Sequence, residues 1–290
     1  MEFWKWLVLL IFIFSPGCSS APKKPAEVFT ERTVAENQLE MANRAAVRGH
    51  YQEALAFLLE ARRLAVLTDD PQLRLRTAIC RGDILFSSGR ADDAFREWEN
   101  AGTEGDASGE KELAALSRLH AIRARLVLLD SASSSGGPTN NAAAEELKNQ
   151  LAREMPVFNS GSLSMAAAYV TLGMAEKYLG RWAAAEDAAK RALAIHEKGL
   201  FLEEAAYDWY LIASIRSMAG NYDAALEALK TSIAFDRRAE NGSGLASTWH
   251  AMGDVYKKAG RSEESQAAYR RAAEIYRALG LEEKAEAIGE

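Results

Sequence analysis

Four histidines, at positions 50, 120, 196 and 250, are the side chains best suited in this sequence to bind a metal or transfer protons. Only one has a suggestive neighbour. His196-Glu197 begins like the helix motif in which two histidines four residues apart bind zinc and the glutamate acts as a base. Leu200 stands where the second histidine is needed, so the motif is incomplete. The glycines of 102-GTEGDASG-109 lack the lysine of a phosphate-binding loop, and no serine lies in a nucleophile motif. We therefore expect no catalytic site, no metal and no cofactor.

A different chemistry, covalent attachment of lipid, is indicated at Cys18. The preceding run 6-WLVLLIFIF-14 is too short for a membrane span, which needs about 20 apolar residues, but is typical of a signal-peptide core. The cysteine that follows Gly17 resembles the lipobox cysteine of bacterial lipoproteins, which is lipidated and becomes the first residue. We predict a signal peptide over 1–18, a palmitate-type lipid on Cys18 and a flexible tether over 19–30. Ordinary cleavage and an uncleaved anchor are the alternatives.

Glycine recurs at intervals of 40 residues, which is typical of a solenoid built from one repeated unit. The recurring residues are Gly49, Gly89, Gly180, Gly220 and Gly260. On either side of the glycine, small and apolar residues recur at three- and four-residue steps, as the buried stripe of a helix requires. Glycine adopts a left-handed backbone without a steric penalty. We therefore place each glycine just after the first helix of a helix–turn–helix unit.

The unit resembles the tetratricopeptide repeat (TPR). Its best copy places Trp249, Gly253, Tyr256 and Gly260 at the spacing of that family. The family repeat has about 34 residues, so each unit here is longer. We expect the additional residues in the second helix or in the link to the next unit, as in 236–244. The resemblance implies an all-α fold, a right-handed superhelical solenoid of helix pairs.

Six units account for the chain if the third is degenerate. The spacing from Gly89 to Gly180 exceeds two periods by 11 residues, and the 11 residues 131–141 are rich in serine, glycine and asparagine. We predict that they form a loop inserted between two helices of the third unit. The predicted units start near Ala35, Leu75, Ala115, Ala166, Ala206 and Ala246. Residues 281–290 are predicted to form a short capping helix, so that 31–290 is a single solenoid domain.

In TPR proteins the first helix of each pair lines a concave groove, so the resemblance also implies a candidate binding surface. The residues carried over by position from units four to six are Val170, Met174, Lys177, Tyr178, Tyr207, Tyr210, Ser214, Met218, His250, Asp254 and Lys257. Tyrosine and methionine are favoured where a surface must grip a partner.

The leading hypothesis is a non-enzymatic scaffold or adaptor that binds a partner protein or peptide on this concave face. Cys18 would anchor it by lipid in a bacterial cell envelope, at the outer membrane and facing the periplasm. The alternative is an accessory protein that binds a small apolar ligand beside a transporter, suggested by the side chains of Tyr178, Tyr207, Tyr210 and Met218. A net charge of −6 argues against a nucleic-acid partner.

Overall fold

The computed structural model of the protein describes residues 30–134 and 139–288, and Glu31–Glu290 forms one compact unit. The described residues contain thirteen α-helices, one short 3₁₀ helix and no strand. The helices are α1 (Thr30–Val47), α2 (Tyr51–Leu67), α3 (Pro71–Ser87), α4 (Ala91–Ser108), α5 (Lys111–Ser134), α6 (Asn141–Glu154), α7 (Leu163–Tyr178), α8 (Trp182–Gly199), α9 (Leu202–Met218), α10 (Tyr222–Ala239), α11 (Gly242–Lys258), α12 (Ser262–Ala278) and α13 (Glu282–Glu286). The predicted signal peptide, the lipidation site and nearly all of the tether lie outside the described residues. No described helix is both long enough and apolar enough to cross a membrane.

A left-handed glycine follows the first helix of each regular unit, as predicted. The backbone φ angles are 78° at Gly49, 82° at Gly89, 71° at Gly180, 83° at Gly220 and 74° at Gly260. After α9, the amide of Gly220 donates to the carbonyl of Ser217 at 3.1 Å, and the amide of Asn221 donates to that of Arg216 at 2.9 Å. These bonds satisfy carbonyl groups that the end of a helix leaves without partners. The 40-residue period is therefore the period of a turn.

Two glycines inside first helices serve a different purpose, which is close packing of the helix pair. A Cβ atom added at Gly82 would lie 2.3 Å from Nε1 of Trp98, and one added at Gly253 would lie 2.4 Å from the ring of Tyr269. Trp98 is only 2% exposed, and its Nε1 donates to the carbonyl of Ile79 at 3.2 Å. The lack of a side chain at Gly82 and Gly253 therefore lets an aromatic ring of the second helix lie directly on the first helix.

The array curves toward its first helices. From α3 onward each first helix contacts the next, since α3 meets α5, α5 meets α7, α7 meets α9 and α9 meets α11. Second helices pack against the helices before and after them, and no two successive second helices within the described residues make comparable contact. Successive first helices are thus closer to one another than successive second helices are. The side of the first helices is concave, as the resemblance implied.

The third unit differs from its prediction. Helix α5 continues to Ser134 and α6 begins at Asn141, so the prediction of a loop over 131–141 is wrong at both ends. Residues 131–134 are three serines and one alanine, and neither residue type prevents an established helix from continuing. At the other end, Oδ1 of Asn140 accepts from the amide of Ala143 at 3.1 Å, so the asparagine assigned to the loop caps α6.

The additional residues of each unit lengthen the helices. In units four to six the helices have 16 to 18 residues. Residues 236–239, which the sequence suggested as part of a link, form the last turn of α10. The chain then turns at Glu240, which adopts a left-handed φ of 55°. At the far end α13 packs Ala285 against Ala246 and Tyr276, and so caps the last unit.

Candidate functional site

Two cavities lie side by side on the concave face. One, of about 480 Å³, is formed by α5, α7 and the start of α9, and combines the apolar side chains of Leu116, Leu163 and Val170 with Arg123. We call it the Arg123 cavity. The other, of about 430 Å³, lies between α9, the end of α10 and α11, and has Asp236 in its wall. We call it the Asp236 cavity. Both volumes are within the range of known ligand pockets.

Tyr207 belongs to both cavities. It lines each of them together with Glu203 and Asn241, and it is 46% exposed. Its ring stacks on that of Tyr210, with ring centroids 6.2 Å apart and an interplanar angle of 20°. The two tyrosines are three residues apart on α9, so both present their rings on the concave side. They form a flat aromatic wall for the Asp236 cavity, with Tyr207 as the ridge between the two cavities.

Asp236 is a buried carboxylate at the end of α10. It is 1% exposed, and accepts hydrogen bonds from Nδ2 of Asn241 at 2.8 Å and from Oγ1 of Thr248 at 3.4 Å. Burial, together with the nearby negative charge of Glu203, raises its pKa to about 6. The two neutral donors act in the opposite direction but do not offset the loss of water around the ionised form.

The link after α10 is built around this carboxylate. Asn241 caps α11 by accepting from the amide of Gly244 at 3.0 Å, while its Nδ2 donates to Asp236. A Cβ atom at position 244 would lie 2.3 Å from Oδ1 of Asp236 and 2.3 Å from Nδ2 of Asn241. Only glycine leaves room here for the Asp236–Asn241 hydrogen bond.

The preceding junction holds a buried pair at the corresponding place. Nδ1 of His196, in α8, lies 2.6 Å from Oδ2 of Asp208, in α9, and neither residue is more than 5% exposed. Burial raises the pKa of Asp208, and the histidine acts against that rise. The other carboxylate oxygen of Asp208 has no hydrogen-bond partner among the described residues. This pair joins α8 to α9 and so holds the wall of the Arg123 cavity, which His196 also lines.

Several residues that the sequence assigned to the groove do line cavities. Val170 lines the Arg123 cavity although only 5% of it is exposed. Tyr207 and Tyr210 form the aromatic wall described above. Ser214, Met218 and Asp254 line a third and smaller hollow, of about 110 Å³, further along α9 and α11.

The remaining predicted groove residues lie elsewhere, since none of them lines these three cavities in the described structure. Lys177 forms an ion pair with Asp130 at 3.1 Å, and the hydroxyl of Tyr178 accepts from the amide of Asn140 at 2.9 Å. Both tie α7 to the third unit. Met174 packs against the hydrophobic core, the ring of His250 lies against that of Tyr269, and Lys257 is exposed. For these five residues, position within the repeat did not predict contact with a cavity.

The cavity residues that the prediction missed include Arg123, Asp236 and Asn241. Asp236 and Asn241 lie at the end of a second helix and in the link after it, whereas the prediction considered first helices only. One signal was available in the sequence. The position of Asp236 within its unit is held by Ala65 and Gly105 in the first two units, so a charged residue there is a departure.

The described residues contain no cluster of three or more histidine, cysteine, aspartate or glutamate side chains arranged to hold a metal ion. The arrangement on the concave face consists instead of apolar, aromatic, amide and hydroxyl groups together with the charged side chains of Arg123, Glu203, Glu204 and Asp236. Such a surface binds a ligand by shape, hydrogen bonding and charge.

Comparison with known proteins is consistent with this architecture. Models of the tetratricopeptide repeat match residues 165–200 and 204–278. Comparison with curated protein sequences gives no match. Among solved structures, a Rap protein complexed with competence and sporulation factor has 14% sequence identity and a TM-score of 0.56, over 85% of this chain and 66% of that one. BtubC from P. vanneervenii has 19% identity and a TM-score of 0.52, over 85% of this chain and 92% of that one.

At these identities the solved structures indicate the fold alone. The repeat models cover most of the residues that line the Asp236 cavity, though not Val47 of α1, and one side of the Arg123 cavity. The helix pairs, the turn glycines and these matches agree with one another. The chain is a tetratricopeptide repeat protein.

Proposed function

We propose that this protein is a non-enzymatic scaffold that binds a partner protein or peptide on its concave face. The observation that carries the proposal is the pair of adjacent cavities separated by Tyr207. Two hollows that share one ridge suit successive side chains of an extended segment better than they suit one compact molecule. Exposed tyrosine on a rigid helix provides contact area with little loss of side-chain entropy. The Rap protein, which is similar in fold, is known in complex with a factor that it binds.

We further propose that the scaffold is anchored by lipid at Cys18 to a bacterial envelope membrane, with the solenoid in the periplasm. The support is the sequence alone, which places an apolar run of nine residues shortly before the cysteine. Replacing Cys18→Ser should move the protein from the membrane fraction to the soluble fraction after cell breakage. Retention of the variant in the membrane fraction would contradict a lipid as the sole anchor.

Partner binding is tested by affinity purification from solubilised envelopes. The wild-type chain is compared with Tyr207→Ala, which removes the ridge, and with Gln266→Ala, an exposed second-helix residue of α12 on the other side of the array. We expect the same envelope protein with the wild type and Gln266→Ala, and at least about tenfold less of it with Tyr207→Ala. Equal recovery with all three chains would place the interaction outside the concave face.

A small apolar ligand is the weaker candidate. Leu116, Leu163 and Val170 supply an apolar wall, but the same cavity contains Arg123 and Glu203. An apolar molecule in this cavity would remove water from these charged groups without replacing its hydrogen bonds, which is unfavourable. A peptide carries its own polar groups and can satisfy them. The composition of the walls therefore favours the scaffold.

A further inference from the structure

The Asp236 cavity carries negative charge without a balancing positive charge. Its described lining includes the carboxylates of Asp236 and Glu203, and no lysine, arginine or histidine. The remaining polar groups are hydroxyls and one amide, among them Ser232, Asn241 and Thr248. Among the described residues, the side chains of Asn241 and Thr248 alone donate hydrogen bonds to the Asp236 carboxylate, and both of these are neutral.

The preceding junction pairs its buried carboxylate with a histidine. Counted from the unit starts at Ala166 and Ala206, His196 and Asp236 occupy the same position, and each faces the third residue of the next unit. At the first junction that residue is Asp208, so a histidine meets an aspartate at 2.6 Å. At the second it is Thr248, which meets Asp236 at 3.4 Å. The second junction therefore has an acid at the position of the histidine and a hydroxyl at the position of the acid, so that Asp236 faces Thr248 and not a histidine.

An ionised carboxylate that is buried without a cation is unfavourable in a folded protein. The raised pKa of Asp236 is the expected consequence, and Glu203 on the same wall adds to it. The Asp236 carboxylate links α10 to α11 through Asn241, but its negative charge has no cation in the described lining of the cavity. This arrangement creates a site where a positive charge gains both Coulomb energy and hydrogen bonds on entering.

The aromatic wall determines which cation fits best. The stacked rings of Tyr207 and Tyr210 offer flat faces on the same cavity as the carboxylate. A guanidinium group is planar, stacks on aromatic rings, bonds carboxylates with two parallel N–H groups and is more weakly hydrated than an ammonium group. We propose that the Asp236 cavity binds the guanidinium group of an arginine side chain in the partner segment. This assignment depends on the proposed function, because it assumes that the occupant is a peptide or protein.

The test compares three probe peptides that differ in one side chain: acetyl-Ala-Arg-Ala-amide, the same peptide with citrulline, which is nearly isosteric and neutral, and the same peptide with lysine. Each is titrated into the purified full chain in detergent micelles. The isotope-labelled methyl group of Thr248 reports binding by nuclear magnetic resonance. We expect the arginine peptide to bind at least about tenfold more tightly than the citrulline peptide. The lysine peptide should lie between them.

Two variants locate the effect. In Asp236→Asn the preference for arginine over citrulline should fall below about twofold, because the charge is lost while the amide keeps the local shape. In Glu203→Gln a preference of about threefold should remain, because that carboxylate is exposed to solvent. Thermal unfolding of both variants verifies that they are folded. Equal affinities for arginine and citrulline in the wild type would overturn the proposal. So would an unchanged preference in Asp236→Asn, or tighter binding of lysine than of arginine.

The affinity purification with Tyr207→Ala separates this inference from the function on which it rests. If the peptides bind without preference but partner recovery still depends on Tyr207, the concave face binds a partner and the arginine assignment alone is wrong. If the arginine preference is found but no envelope protein is recovered, the assignment of a guanidinium group to the Asp236 cavity is supported and the proposed scaffold function is wrong.

Discussion

Replacing Asp236→Asn should stabilise the protein at neutral pH. The pKa of Asp236 is raised from 3.8 to about 6. At about 1.4 kcal/mol per pKa unit, keeping this group ionised in the folded state at pH 7.5 costs about 3 kcal/mol. The amide avoids that cost. Its oxygen can accept from Asn241, and its nitrogen can donate to Oγ1 of Thr248, because that hydroxyl can donate in turn to Ser232 at 3.2 Å. We expect a gain of up to about 3 kcal/mol, or roughly 6–12 °C in Tm.

The pH dependence of this gain has a definite sign. A carboxyl group whose pKa is raised on folding stabilises the folded state while it is protonated, and that contribution is lost as the pH rises through the folded pKa. Wild type and Asp236→Asn should therefore unfold at similar temperatures near pH 4. Their difference should grow between about pH 4 and pH 6 and stay constant above that range.

The assay is thermal unfolding followed by circular dichroism near pH 4, pH 6 and pH 7.5. Asp223→Asn is the matched control, because Asp223 lies on the same helix with its side chain 96% exposed. That change should alter stability by less than about 0.5 kcal/mol at each pH. Unfolding of Asp236→Asn at or below the wild-type temperature at pH 7.5 would contradict a cost of burying the ionised carboxylate. A rise in the unfolding temperature of Asp236→Asn that is as large at pH 4 as at pH 7.5 would contradict it equally.

Three further predictions concern the repeat and the lone thiol. Gly220→Val should destabilise the fold by roughly 2 kcal/mol, because the residue must keep a φ of 83° although no neighbouring atom obstructs its side chain; an unchanged midpoint of urea unfolding would contradict the turn. Gly82→Ala should cost about 1–3 kcal/mol in the same assay, because its Cβ would displace the ring of Trp98, and unaltered stability would argue against this packing. In a chain carrying Cys18→Ser, Cys80 should react with a thiol reagent at pH 8 only on unfolding, because burial raises its pKa to about 12. Rapid reaction of the folded protein would contradict that burial.

Much of the fold was readable from the sequence because one backbone constraint recurs. A left-handed turn excludes most side chains, so Gly49 and its counterparts mark the end of each first helix whatever surrounds them. The third unit offered no such marker. There the limits of α5 depend on helix propensity and packing, which residues 131–134 satisfy although their composition is typical of a loop. Periodicity located the turns, whereas packing determined the helix lengths.

The candidate site was less predictable. Tyr207 and Tyr210 were assigned to the groove by their position within the repeat, and both line the Asp236 cavity. Lys177 was assigned by the same rule, but its side chain pairs with Asp130 of the third unit instead of lining a cavity. Asp236 was missed because it comes from a second helix that is longer than the family's. Assigning groove residues by their position within the repeat fails where a helix is longer than in the family, because the added turns bring new side chains to the ends of the groove.

Partner binding on the concave face is tested in the living cell by a photo-crosslinking amino acid placed at single positions of the chain. Position 207 lies on the ridge between the two cavities, and position 266 is exposed on the second helix of the last unit. We expect irradiation to join one envelope protein to the chain from position 207 and none from position 266. Adducts from position 266 without adducts from position 207 would contradict partner binding on the concave face.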